Sequence, residues 1–438
     1  MTTSSEQRAA VQNWIKETAH SLTTVDASEP LVDLRPLLGM LRERTVVVGC
    51  GAGTRGAHQL FALQTRIARL LVGEAGFRAV ALDQDWTLVA RLDAHVRTGT
   101  GDPVALLEAA EPFSRTEEIL TLVRWMRAFN ETHPGDPVRL IGVSPHETGV
   151  LAYDTVARYV RTAEPGLMDE LERCYAGLRP EGEVSVHTNR FRALSDRRSH
   201  HDRAQAAHDL VAGAPGHAGH AWALQNARLI VQYYELHDHD DDPLDPHNMS
   251  AYERLFAENV LWWQQHTGHK VLFWSSSSHT ANARTRVVSF PPDPAAAPPR
   301  NAGSYLREHL GARYLSIGLT FGAGELATYT GAPAYQVPRP VPPLMESVLD
   351  DEAVGDYLLN LRTDTDTPPQ VAEWVARTTT SRLVGPRHDP RRDTDHHMTG
   401  GSLAEWFDVL VHLRQVTPAR PFHSVKPPVQ KERWPLGR

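Results

Sequence analysis

Cysteine is close to absent from this chain: Cys50 and Cys174 are the only two in 438 residues. That excludes a disulfide framework and a cysteine-based zinc centre, and it fits a reducing compartment. Long apolar runs are missing as well; no stretch approaches the roughly 20 residues of a membrane-spanning helix. The opening residues, MTTSSEQRAAVQNWIKETAHSL, lack the charged start and apolar core of an export signal. The expectation is a soluble cytoplasmic protein with no membrane partner. Lysine stands only at positions 16, 270, 426 and 431, so arginine carries the positive charge, and the abundant Ala, Pro and Gly point to a GC-rich, actinomycete-like coding sequence. With 45 basic against 53 acidic residues, a net charge of −8 and no dense basic patch, nucleic acid is not an expected partner. The glycines at 49, 51, 53 and 56 do not give GxGxxG spacing and no Gly-Lys-Ser/Thr follows them, so a nucleotide-binding loop is set aside and no cofactor is expected.

What is present is a strong βαβ signature over residues 46–86. Val46-Val47-Val48 is a short apolar run that empties into Gly49, Gly51 and Gly53, as a buried strand entering a turn would. Leu60, Leu63, Ile67, Leu70 and Leu71 recur at helical spacing, and Gly76 marks the exit. Ala79-Val80-Ala81-Leu82 has no polar alternation, which suits a strand covered on both faces of a parallel sheet. Ligands in open α/β sheets lie beyond the carboxyl ends of the strands, so the turn 49–58, with His58 at its end, and the pair Asp83 and Asp85 are expected to face one.

The alternation continues. Helices are expected over 9–22, from Trp86 to about Arg97, and over 116–130, with a strand at 138–143. Residues 150–236 turn helical and charged and read as a helical insertion or lid within one domain spanning 1–438. A helix over 250–265 feeds a strand at 271–274 that stops in Ser275-Ser276-Ser277-Ser278-His279. A proline-rich loop (291–299), a helix (303–310) and a strand (314–319) follow. The last part holds a strand near 382–384, a polar turn over 387–397 and a helix opening at Ser402 with Glu405 in a capping box, before a proline-rich tail beyond 420. The fold class is α/β, a central mainly parallel sheet flanked by helices.

Several residues invite a chemical reading. His237–Asp242 (HDHDDD) offers metal-type ligands, but neighbours on one loop cannot all converge on one ion, and Pro243 and Pro246 suggest a solvated connector. No metal is expected. His200, His201, His217 and His220 read as surface or structural residues, while His396 and His397, in a glycine-flanked turn after a strand, are kept as site candidates. Asp83 and Asp85, one residue apart, would point the same way in an extended strand and could share a proton; alternatively, one caps the next helix. His279 ends a strand and can move a proton near neutral pH, or it anchors the loop.

The segments GAGTRGAHQLF (51–61), GFRAVALDQDW (76–86), LVRWMRAFNETHP (122–134), FAENVLWW (256–263), KVLFWSSSSH (270–279), GSYLREHLGARYLSIGLTFG (303–322) and DTDHHMTGGSLAEWFDVLVHLRQVTPARPF (393–422) carry a further signal. Through them the chain resembles the erythromycin esterase family from Val46 to Pro421. The resemblance implies an α/β fold and hydrolysis of a macrolide lactone, with a histidine of the glycine turn activating water beside supporting carboxylates. Position by position, the turn's glutamate falls on Ala52 and its histidine on Arg55, and the glutamate after the second strand falls on Asp83. Of the two histidines in the family's Trp-Ala-His-Asn-x-His, the first falls on Ser276 and the second is kept as His279. The paired tyrosines of the last turn fall on His396 and His397.

Arginine stays protonated, so Arg55 cannot take a proton from water, and Ala52 can hold no charge. The expected catalytic groups are therefore Arg55, Asp83 and His279. His58, Asp85, Ser276, Ser278, His396 and His397 are the expected contacts to a small-molecule substrate. The leading expectation is non-hydrolytic acid/base chemistry in bacterial specialised metabolism, such as cyclisation, dehydration or isomerisation. Hydrolysis with His279 as base and a non-catalytic metabolite binder are the alternatives.

Overall fold

The computed structural model describes residues 3–214, 216–238, 246–289, 300–327, 333–362, 366–385 and 388–421. Most of the HDHDDD stretch, the proline-rich loop 291–299 and the tail beyond 421 lie outside the described residues. Twelve strands are present among those described: β1 (His20–Ser21), β2 (Val47–Ala52), β3 (Phe77–Asp85), β4 (Arg139–Ser144), β5 (Lys270–Ser276), β6 (Val287–Ser289), β7 (Tyr314–Leu326), β8 (Tyr335–Val337), β9 (Tyr357–Asn360), β10 (Thr378–Arg382), β11 (His397–Ser402) and β12 (Val409–Val416). Nine of them form one sheet in the order β1-β9-β12-β7-β2-β5-β3-β4, with β8 paired to β7. The six strands from β12 to β4 run parallel, and β1, β8 and β9 are antiparallel additions. A separate three-stranded sheet has the order β10-β11-β6.

The unbroken apolar runs of the central strands are explained by burial on both faces. Val48, Cys50, Val80, Leu82, Leu272 and Trp274 pack against Leu60, Leu63, Ile67, Leu70 and Leu71 of helix His58–Glu74 and against helix Glu117–Thr132. Their alternate neighbours Val47, Ala79, Ala81, Val271 and Phe273 meet helices Pro246–Thr267 and Ala302–Leu310 on the other face. Each such side chain taken out of water contributes roughly 1.5–3 kcal/mol. Residues 150–237 form five α-helices, Val150–Ala163, Met168–Tyr175, Val184–Arg192, Arg198–Ala212 and His220–His237, around an apolar cluster of their own. The first helix spans Ser5–Thr18, a turn earlier than its sequence pattern predicts, because Ser4 caps it. No helix among the described residues is long and apolar enough to cross a membrane.

Two close approaches shape the carboxyl edge of the sheet. A Cβ on Gly51 would collide with Thr280 and the Ser277 backbone, so this glycine lets the short helix Ser277–Thr280 lie against β2. Gly142 of β4 does the same for a bulge in β3: its missing Cβ would sit 2.4 Å from the Asp85 carbonyl oxygen. The register of β3 against β4 shifts between Leu82 and Asp85 at that point.

Candidate active site

The β3 bulge decides what the two aspartates do: they do not act as a pair, and Asp85 takes the helix-capping role that stood as the alternative. An inserted residue breaks the strict alternation of an extended strand. Asp83 therefore turns to the end of β2 and β5, where it is ion-paired with Arg55 and accepts a hydrogen bond of 2.5 Å from Ser275 Oγ. Asp85 instead caps helix Trp86–Thr98: its Oδ1 accepts from the Leu88 N–H at 2.7 Å and from Thr87 Oγ1 at 2.5 Å. Burial pushes the Asp85 carboxyl up to about 7, with Glu147 adding to the effect and the Thr87 and Leu88 donors opposing it.

Arg55 is held on several sides. Besides Asp83 it reaches Ser275 Oγ at 3.4 Å, and its guanidinium lies 4.0 Å from the centre of the Phe113 ring, a cation–π arrangement. Asp83 is 7% exposed and Arg55 18%, so the pair is largely shielded yet reachable. With two donors already on Asp83, that carboxylate serves as the anchor of the cation.

His279 lies in the short helix after β5. Its Nδ1–H donates to Glu253 Oε1 at 2.8 Å, and its Nε2 makes no hydrogen bond among the described residues. Glu253 is fully buried and also accepts from Arg286 Nη2 at 2.5 Å and from the Ala302 N–H at 2.8 Å. Burial opposes its charge, but Arg286 and His279 outweigh that penalty and hold the carboxyl down at about 2. The result is an imidazole oriented by an ionised carboxylate with its second nitrogen open, and the ring is 14% exposed. Tyr252 links this group to the rest: its ring centre is 6.4 Å from that of His279 and 6.5 Å from that of His146, and the charges of Asp83, Glu111 and Arg55 all act on its hydroxyl.

The remaining sequence candidates fall elsewhere or take structural roles. His58 pairs with buried Glu118 at 2.6 Å and meets Arg420, tying the start of its helix to helix Glu117–Thr132 and to the last described segment. It belongs to a different cluster from Arg55 because the helix turns its ring away. Ser276 and Ser278 hydrogen-bond each other at 2.5 Å at the end of β5. His396 is completely buried, with its ring 4.5 Å from that of His388, and accepts from the Asp389 N–H at 3.1 Å. It lines no open surface, being enclosed with His388 and the Asp389 backbone. His397 begins β11 and donates to the Thr394 carbonyl at 2.9 Å. The small sheet meets the glycine turn at the end of β10, where the N–H of flanking residue Val384 donates to Gly53 O.

Five contributors to this edge were not singled out in the sequence: Glu253, Tyr252, Glu111, His146 and Glu147. The last two directly follow β4, where strand-end logic would have found them. The other three come from a helix and a loop with no local signal.

Against known proteins, the model of the family described as erythromycin esterase matches residues 72–416, most of the chain. The chain belongs to the erythromycin esterase family. Asp83 and His279 fall within the matched residues, while Ala52 and Arg55 precede them. Among solved structures, a protein from Bacillus cereus superposes with a TM-score of 0.82 at 23% identity, covering 95% of this chain and 99% of that one. A succinoglycan biosynthesis protein gives 0.80 at 23% identity, covering 95% and 98%. A mutant erythromycin esterase in its open conformation gives 0.64 at 15% identity, covering 91% and 97%. At these identities the likeness establishes the fold. The erythromycin-esterase architecture is thus present, with an arginine at the position where the resemblance puts the family histidine.

Proposed function

We propose that this erythromycin esterase family member hydrolyses an ester or lactone of an oxygenated small molecule, using His279 as general base. One observation carries the reading: buried, ionised Glu253 holds Nδ1–H of His279 and leaves Nε2 open, the arrangement in which an imidazole accepts a proton from water and its partner steadies the imidazolium. The position occupied by Arg55 has lost its base, and His279 supplies another. Arg55, fixed by Asp83 and Ser275, offers cationic N–H donors to the oxyanion that forms when a carbonyl is attacked. The test is turnover of a panel of aryl, alkyl and macrocyclic esters by the purified protein, with cleavage expected for at least one class and absent in His279→Asn. A panel without turnover overturns the reading.

A second reading, non-hydrolytic proton transfer such as cyclisation, dehydration or isomerisation in specialised metabolism, is favoured by Arg55 itself. A fixed cation suits an enolate oxygen, and neither Arg55 nor Ala52 can activate water. Product of unchanged molecular mass, or lighter by one water, from a polyketide-like substrate would select it. Tight binding without product would instead identify a metabolite-binding protein.

A further inference from the structure

We propose that Arg286 is a positioning residue for His279, clamping both the carboxylate behind the imidazole and the backbone that carries it. The inference rests on the reading of His279 as general base and adds the group that holds this base in place. Arg286 is fully buried and lies between the short helix Ser277–Thr280 and β6. Its Nη2 donates to Glu253 Oε1 at 2.5 Å, the same oxygen that accepts the His279 Nδ1–H at 2.8 Å, and its Nη1 donates to the Ser278 carbonyl. One guanidinium thus spans two acceptors, one behind the ring and one in the peptide unit that joins Ser278 to His279.

A single helical turn does not fix a side chain by itself. No side chain caps the start of Ser277–Thr280, and the Ser278 carbonyl is one of the orphan acceptors at its end. Asn282, four residues on, gives its N–H to the Trp406 carbonyl instead. Arg286 takes that vacant place together with Asn301, whose Nδ2 donates to the Ser278 carbonyl at 2.9 Å. Asn301 is fully buried in turn, its Oδ1 accepting from the N–H groups of Ala283 at 3.2 Å and Ser304 at 3.1 Å. Behind the ring, Glu253 Oε2 accepts from the Ala302 N–H at 2.8 Å, at the start of helix Ala302–Leu310. Both oxygens of the carboxylate are therefore held, and so is the backbone on which the imidazole stands.

Packing alone does not account for an arginine here. Burying a guanidinium is costly, and apolar replacements of whole buried ion pairs are often neutral or stabilising. What arginine supplies that an apolar side chain cannot is a fixed charge and a planar fork of donors. Among the described residues, the cationic or titratable partners facing Glu253 are Arg286 and His279. Burial pushes the Glu253 carboxyl up, and the Arg286 charge is the largest influence bringing it down. A neutral Glu253 would no longer steady an imidazolium, so the fork preserves the partner's charge as well as the orientation of the ring.

The experiment compares two variants of the full-length protein: Arg286→Gln, which loses charge and fork, and Arg286→Lys, which keeps the charge but cannot reach both acceptors. With para-nitrophenyl butyrate as substrate, kcat should fall about 100-fold in Arg286→Gln and about tenfold in Arg286→Lys, with KM within about twofold of wild type. The acid limb of the pH profile should move upward in Arg286→Gln and stay in place in Arg286→Lys, because Glu253 without its neighbouring cation keeps a proton to higher pH. Crystal structures of the variants should show the His279 ring turned from its wild-type place. Wild-type kcat in Arg286→Lys overturns the proposal, and so does an unmoved acid limb in Arg286→Gln. If Arg286→Gln does not fold, the kcat of Arg286→Lys decides. If the wild-type protein cleaves no ester, the hydrolytic reading falls separately, and the ring in the Arg286→Lys crystal structure decides: an unmoved ring overturns the inference, and a displaced one upholds it.

Discussion

His279 and His396 both sit in polar turns beside strands and carry the same sequence signal, yet the two regions make opposite use of the imidazole. At the end of β5 a buried carboxylate stands behind the ring, and one nitrogen is left open. Just before β11, His396 is sealed in, its Nε2 takes a backbone N–H, and its Nδ1 has no partner among the described residues. Burial, reinforced by neighbouring His388, holds His396 down at about 4, against the pull of Asp393, Asp395 and Asp389. What separates the proposed base from a packing residue is the partner behind the ring, and that partner, Glu253, comes from another part of the chain.

The contrast breaks most sharply by mutation of the base. His279→Asn should lower kcat about 10²–10⁴-fold on whichever ester the protein cleaves, while His396→Gln should leave kcat within about twofold; steady-state kinetics on both variants checks this. Equal losses would erase the distinction. Next in size is Glu253→Gln, which strands buried Arg286 without its counter-charge. A stability loss of about 3–5 kcal/mol is expected in urea unfolding, larger than for His279→Asn.

Acid separates the two regions in sequence. His396 is neutral when folded and protonates near 6.5 when unfolded, so as pH falls the unfolded chain takes up its proton first. Its contribution is full above pH 6.5 and is lost between 6.5 and 4, amounting to about 3 kcal/mol. Glu253 has the depressed pKa of a paired carboxylate. Its contribution is present above about 4.5 and is lost as pH falls from there to about 2. Urea unfolding at a series of pH values should show the first loss disappear in His396→Gln and the second in Glu253→Gln. The smallest effect concerns the cap at β3: Asp85→Ala should cost about 1 kcal/mol, with Asp85→Asn recovering most of it in the same assay.

The core of the fold was legible because doubly buried strands and the periodic helix after β2 leave local marks; β2 to β5 and β7 all carry them. The antiparallel edge of β1 and β9, strand β12 and strands β6 and β11 of the small sheet were not marked out, and the strand expected near 382–384 met β10 only at Arg382. Their pairing is between segments far apart in sequence, and short half-buried strands such as Thr378–Arg382 lack a distinctive pattern. At the site, strand-end reasoning reached the turn 49–58, Asp83 and His279, and the family resemblance picked out Arg55, but the strand-end reasoning treated β3 as straight. The bulge at Leu82–Asp85, visible in sequence only through Gly142 on the next strand, is what separates Asp83 from Asp85. Glu253 was illegible because its meeting with His279 depends on how helix Pro246–Thr267 packs against the sheet.

His237 gives the helical segment 150–237 a purchase on the carboxyl edge of the sheet that requires no contact with a ligand. Arg192 grips one nitrogen of this buried ring and the His146 backbone is gripped by the other, so a three-residue relay runs from the segment's surface to the end of β4. Burial and neighbouring His146 keep the imidazole well below its ordinary pKa, so the ring stays neutral, accepting from Arg192 at Nδ1 and donating to the His146 carbonyl from Nε2. Substitutions in the helical segment that displace Arg192 or His237 should therefore shift the His146 loop while the sheet beneath is left unaltered.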